Sequence, residues 1–155
     1  LRVFSKIDDG ELVIVGDGSE KYSLEKLAEN LGIKNRVHFL GALENHEDVI
    51  KEIKESSILV LPSIRENFGI VPLEAMACRT AVVSTNTEGP RDYIIDGENG
   101  FLTEIENDNQ LRERIDLLLK DSTIRNKITV NGRKTAERYD WENIVKRIAS
   151  IYKSL

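Results

Sequence analysis

A chain of 155 residues with 22 basic and 27 acidic side chains carries a formal net charge of −5. That length suits one domain, and 40% hydrophobic with 32% charged residues describes a chain that folds around a core, which excludes the disordered and fibrous classes. An acidic balance without a Lys/Arg block excludes a nucleic-acid duplex or an anionic membrane surface as the main ligand, no apolar run reaches the roughly 20 residues of a membrane span, and the one cysteine, Cys78, excludes internal disulfides and Cys-rich zinc sites.

Glu11 to Val15 is a run of β-branched residues closed by Gly16, and reads as a buried parallel strand. Leu24, Leu27, Ala28 and Leu31 then recur at helical spacing, with Gly32 placed for a left-handed cap. The unit repeats: a strand over 36–40, a helix from His46 to Ser56 carrying Val49, Ile50 and Ile53, and a strand over 58–61. A short helix over 72–77 leads to a strand over 81–84, and Phe101 to Thr103 forms a last strand after the Asp96–Gly100 turn. Beyond Glu104 the pattern is helical only, marked by Leu111, Ile115, Leu118 and Leu119, then Ile124 and Ile128. A final stripe of Trp141, Ile144, Val145, Ile148, Tyr152 and Leu155 opens at Asp140 as N-cap and is wider than docking on one small domain requires. Alternating strands and helices predict an α/β fold, a Rossmann-like doubly wound parallel sheet of about five to six strands with C-terminal helices, over residues 1–155.

Ligands of such sheets sit beyond the carboxyl ends of the strands. The loops there are Gly16–Ser19, Gly41–Leu43, Pro62–Gly69 and Ser84–Asp92. In the third, Gly69 permits a turn other residues resist, and Pro72 suits the first turn of a helix. The amides of Gly69 to Val71 are then left without helical partners at the positive end of the dipole, which is an anion site and above all a phosphate site. Glu66 and Glu74 flank it. Carboxylates repel an anion, so these two are expected to accept hydrogen bonds from hydroxyls, as an acid does for a ribose diol. A phosphate between two polyols is the shape of a nucleotide sugar. The plainer reading makes Glu66 a solvated loop acid and Glu74 a helix acid favoured by the dipole.

Leu61-Pro-Ser-Ile-Arg-Glu-Asn-Phe-Gly-Ile-Val-Pro-Leu-Glu-Ala-Met-Ala77 resembles the Glu-x7-Glu signature of the group 1, or family 4, retaining glycosyltransferases of GT-B fold. Val13–Gly18, Arg36–Gly41, Asp96–Leu102 and Tyr139–Trp141 are similar to further landmarks of that family, in the same order. The resemblance implies that Glu66 contacts the transferred sugar in the catalytic centre and that Glu74 holds the ribose diol. It implies that Phe68, Gly69, Ile70 and Val71 cradle the diphosphate, that Gly41 and Ala42 read the base, and that Gly16 and Gly18 line the same cleft.

Three places depart from the family pattern. Arg79-Thr80 stands where Gly-Pro is usual, Glu88-Gly-Pro-Arg-Asp92 where Gly-Gly-x-Pro-Glu is common, and the Arg and Lys that hold the diphosphate would precede Leu1. The chain also starts without Met in the middle of a β-α pattern. It is therefore expected to be a C-terminal donor-binding domain, one half of a GT-B enzyme, and inactive alone. The implied activity is transfer of a hexose-type sugar to an acceptor hydroxyl, with the nucleotide-sugar donor and the absent N-terminal domain as partners.

No cofactor and no metal are expected, nor is nucleic acid. The location expected is the cytoplasm, with peripheral membrane contact only through the absent domain. A non-catalytic nucleotide-sugar or phosphosugar binding module is the alternative. A phosphorylase-like enzyme is disfavoured because that loop has no lysine suited to pyridoxal phosphate. His38, His46 and Cys78 read as structural residues.

Overall fold

The computed structural model describes residues 1–154; Leu155, which the apolar spacing adds to the last stripe, lies outside the described residues. Strands β1 (Leu12–Val15), β2 (Val37–Gly41), β3 (Ile58–Leu61), β4 (Ala81–Thr85) and β5 (Phe101–Thr103) alternate with helices. These are α1 (Lys21–Asn30), α2 (His46–Glu55), α3 (Ile70–Ala77) and the one-turn α4 (Glu88–Arg91). Helices α5 (Asp108–Lys120), α6 (Ser122–Arg138) and α7 (Trp141–Ser154) complete the α/β chain.

All the ladders are parallel, β1 with β2, β3 with β4 and β4 with β5. They divide into a two-stranded sheet, β1-β2, and a three-stranded sheet ordered β3-β4-β5, with no ladder between β1 and β3. Five strands, the lower end of the expected five to six, are therefore present, in two hydrogen-bonded groups where one sheet was expected.

Strand β4 carries the core because both of its faces are covered. Successive residues of a strand point to opposite faces. Val82 accordingly packs with Ile53, Leu73, Met76, Tyr93 and Ile94, while Val83 packs with Phe101, Leu118 and Ile128. Burying each of these side chains stabilises the fold by about 1.5–3 kcal/mol.

Strand β1 differs from its reading as a buried strand. Leu12 and Ile14 pack on the smaller cluster of Ala28, Ile33 and Val37, whereas Val13 and Val15 on the other face are 36% and 40% exposed. A run of β-branched residues reveals strand propensity; whether a second layer covers it is a tertiary matter. His38 likewise faces outward, with Nε2 3.3 Å from Glu11 Oε2. Helix α7 has no buried residue, and Trp141, Val145, Ile151 and Tyr152 are all more than half exposed.

Helix α3 starts at Ile70, two residues before the expected Pro72. Proline still falls inside the first turn, where its missing N–H leaves no helical bond unmade. After that helix, Arg79 adopts φ 62°, a left-handed conformation that a side chain resists by roughly 1–2 kcal/mol. It is held there because Thr80 is buried, its amide donating to Ala75 O and its hydroxyl to Ile53 O at 2.7 Å. Arg79→Gly should therefore raise stability by roughly 0.5–1 kcal/mol, once glycine's larger entropy loss on folding is deducted. Urea denaturation checks this, and an unchanged midpoint would remove the strain argument.

Candidate functional site

The site gathers at the carboxyl ends of the strands. The bulge between Ile14 and Val15 brings Val15 opposite Gly41, and the Gly16 amide donates to Gly41 O at 2.7 Å. Gly41 turns with φ +72°, and a Cβ there would stand 3.5 Å from Lys21 Nζ and 4.0 Å from Asp17 Oδ2. Gly18 and Ala42 are exposed on the same rim, with the Gly18 amide donating to Asp17 Oδ1 at 2.8 Å. These four expected residues therefore form one patch, to which Lys21 adds a cation. No hydrogen bond among the described residues ties this patch to the Glu66–Val71 segment.

Past β3 the chain runs through Glu66 and the half-exposed Phe68 to Gly69, the N-cap of α3, at φ 72° and ψ 74°. No side chain caps this end of the helix. Nor do the Ile70 and Val71 amides find a carbonyl among the backbone bonds of the described turns and caps. The end is thus left with outward donors and a positive dipole end, the arrangement that binds phosphate. Ile70 is 61% exposed, so this end of the helix lies at the surface.

Two residues to which the sequence assigns no individual role hold this turn. The Tyr93 hydroxyl donates to Gly69 O at 2.5 Å, and its ring meets Phe68 at 5.9 Å and Tyr139 at 5.8 Å between centroids. Burial first, then the Glu66 carboxylate and Tyr139, push the Tyr93 phenol far above its ordinary range, so it remains a donor. The second residue is Gly89, at the start of α4. Its amide donates to Glu66 O at 3.1 Å, and a Cβ there would fall 2.4 Å from both Phe68 Cα and Phe68 O. Two backbones touch at this point.

The Asp96–Gly100 motif supports the turn from behind. Asn99 is 2% exposed, and its Nδ2 donates to Tyr93 O at 2.8 Å and to Thr135 Oγ1 of α6 at 2.9 Å. Its Oδ1 accepts from the Ile95 amide at 2.7 Å, so each polar atom of the amide has a partner. Support therefore runs from α6 through Asn99 and Tyr93 to Gly69.

Glu74 lies one turn into α3 with its side chain 18% exposed. His46, read as structural from the sequence, has its Nε2 3.4 Å from Glu74 Oε1 while its ring is 67% exposed. His46 opens α2, directly after the loop of Gly41 and Ala42, and so links that loop to the Glu74 carboxylate. Its position near the end of β2 was a signal available in the sequence, but the pairing spans 28 residues and depends on how α2 packs on α3. Among the described residues no group of three or more His, Cys, Asp or Glu is arranged to hold a metal ion, and no helix is long and apolar enough to cross a membrane.

Parallel strands whose carboxyl ends gather these glycine turns and an uncapped helix end flanked by Glu66 and Glu74 define a Rossmann-like α/β protein. The particular family follows from comparison: the family model for glycosyl transferases group 1 matches residues 1–135, and the chain belongs to that family. It is 36% identical over 157 residues to an uncharacterised glycosyltransferase of Methanocaldococcus jannaschii, covering 99% of this chain and 40% of that protein. The N-acetyl-alpha-D-glucosaminyl L-malate synthase of Bacillus anthracis is 33% identical over 156 residues, covering 98% of this chain and 40% of that enzyme. Among solved structures, Anabaena HepE in complex with UDP superposes with a TM-score of 0.90 at 28% identity, covering 99% of this chain and 44% of that chain. HepE is also known in complex with UDP-glucose. The chain therefore spans about two fifths of the relatives it matches.

Proposed function

We propose that this chain is the donor-binding C-terminal domain of a retaining glycosyltransferase that uses a nucleotide-diphosphate hexose. The observation that carries the reading is the uncapped N-terminus of α3, with Gly69 in the left-handed conformation and Glu66 and Glu74 on either side. HepE, similar over nearly the whole of this chain, binds UDP and UDP-glucose, which supports a donor of that kind.

As the glycosidic bond to the leaving diphosphate breaks, negative charge builds on the phosphate oxygens. Amide donors already aimed at that point stabilise it without reorganising. The Ile70 and Val71 amides supply this, and Glu66 accepts hydrogen bonds from the sugar hydroxyls while Glu74 accepts from the ribose diol. The donor brings its own leaving group, so the reading assigns no resident cofactor. Acceptor binding would fall to an N-terminal half, for which the exposed apolar face of α7 provides a packing surface. Closure of the two halves would exclude water from the reacting centre.

Calorimetric titration with UDP, GDP, ADP and UDP-glucose tests the reading. Glu74→Ala should weaken UDP and UDP-glucose alike, by roughly 10-fold or more for a lost charged hydrogen bond, whereas Glu66→Ala should weaken only UDP-glucose. Equal losses from both variants, for both ligands, would reject the two roles. Transfer from UDP-glucose by the 155 residues alone should be absent or slight, and sustained turnover would reject the half-enzyme reading.

A further inference from the structure

The contact between His46 and Glu74 carries a consequence for nucleotide recognition, and it rests on the role of Glu74 proposed above. A carboxylate that accepts a ribose diol must present an oxygen at a fixed place, because a diol offers two donors in a set geometry. Glu74 stands on the rigid frame of α3, whose neighbours Leu73, Ala75 and Met76 are buried, so its backbone does not wander. Its side chain still has rotamer freedom at the 18%-exposed carboxyl end. His46 Nε2, 3.4 Å from Oε1, is the one basic side-chain nitrogen that the described residues place within ion-pair distance of that carboxylate; the contact is one of proximity and not a formed hydrogen bond. Oε2 is left for a ligand.

We propose that His46 is a positioning residue of the donor site: its imidazole holds Oε1 of Glu74 and so turns Oε2 toward the ribose diol. The placement of His46 favours this role over that of a plain surface residue. It begins α2 five residues after Gly41, and its ring is two-thirds exposed while one edge is directed at a largely buried acid. In sequence His46 follows the Gly41–Ala42 loop assigned to the base, and in the fold it stands beside the acid assigned to the ribose, so its role would concern the nucleoside end of the donor. Neither Glu66 nor the amide end of α3 is touched by it.

The test compares UDP with 2′,3′-dideoxy-UDP, which keeps base and diphosphate but lacks the diol, on the 155-residue chain by calorimetry. Wild type should prefer UDP. His46→Ala should lower UDP affinity about three- to tenfold and leave the dideoxy ligand unchanged. His46→Gln, whose amide could donate to Oε1 from the same place, should restore most of the preference. In the Glu74→Ala background the preference should be gone and His46→Ala should have no further effect. Equal weakening of both ligands, no effect on either, or an undiminished effect of His46→Ala without Glu74 would each overturn the proposal. If Glu74→Ala removes the preference and His46→Ala does not, the diol role stands and the His46 role falls. If wild type shows no preference for the diol, both fall. Because His46 is largely exposed, its variants should fold, and an unchanged circular dichroism spectrum verifies that.

Discussion

Gly89→Ala should disrupt the proposed donor site although residue 89 is not one of the residues assigned to bind there. The added methyl would fall 2.4 Å from Phe68 Cα and Phe68 O and 2.5 Å from the Phe68 carbonyl carbon, all of them backbone atoms. Ordinary van der Waals contact between carbons lies near 3.5–4.0 Å, so the two loops must part by about an ångström. A flexible side chain would rotate away at little cost, but a backbone segment can only move as a whole. The Glu66–Gly69 turn would then leave the Tyr93 hydroxyl and the Gly89 amide, which hold it at 2.5 Å and 3.1 Å. Overpacking of this kind costs about 1–3 kcal/mol. Denaturant unfolding should show that loss, and UDP affinity should fall at least tenfold at temperatures where the variant remains folded. Wild-type affinity in Gly89→Ala would mean that this contact does not position the anion site.

Gly69→Val should abolish measurable UDP binding while disturbing the rest of the fold less. Two effects add at this position. The left-handed φ of 72° is disfavoured for any side chain, and most of all for a β-branched one. The new Cβ would also stand 3.0 Å from Glu66 Cγ and 3.1 Å from Tyr93 Oη, closer than either can accommodate without moving. The turn would reopen to an extended conformation, and the amides of Ile70 and Val71 would no longer converge. Calorimetry should detect no UDP binding under conditions where wild type saturates. Far-ultraviolet circular dichroism should stay near that of wild type, because β4 and the cluster around Val83 lie away from this turn and the cluster around Val82 meets it only through Tyr93. Retained UDP binding would reject the anion site.

These two glycines also show how differently parts of the site are encoded. Gly69 is legible in the sequence because it sits between a strand and a helix that begins with an early proline, and the chemistry of such a turn is local. Gly89 lies in the Ser84–Asp92 loop that the strand ends single out, but nothing local there requires a glycine. Its need for a missing side chain comes from a loop 21 residues earlier, and only the packing of α4 against that loop creates it. Tyr93 is similar: in sequence it is one more aromatic residue, and in the fold it is the donor that fixes Gly69. Glu66 and Glu74 could be singled out by their spacing around the turn, yet His46 beside Glu74 depends on a contact between helices 28 residues apart.

The alternation of strand and helix periods by itself determined the α/β class, the five strands and the all-helical last third. Those features depend on local propensity and on which residues must be buried, and both are written along the chain. The tertiary structure alone decided that the strands form two hydrogen-bonded groups, that one face of β1 is open and that α7 keeps its apolar face exposed. It also decided how the Glu66–Gly69 turn is held, through Gly89, Tyr93 and Asn99. The opening count of 155 residues and a charge of −5 gains its physical meaning there. A chain with more acidic than basic side chains can still present an anion site, because the donors at the end of α3 are backbone amides and do not enter the count.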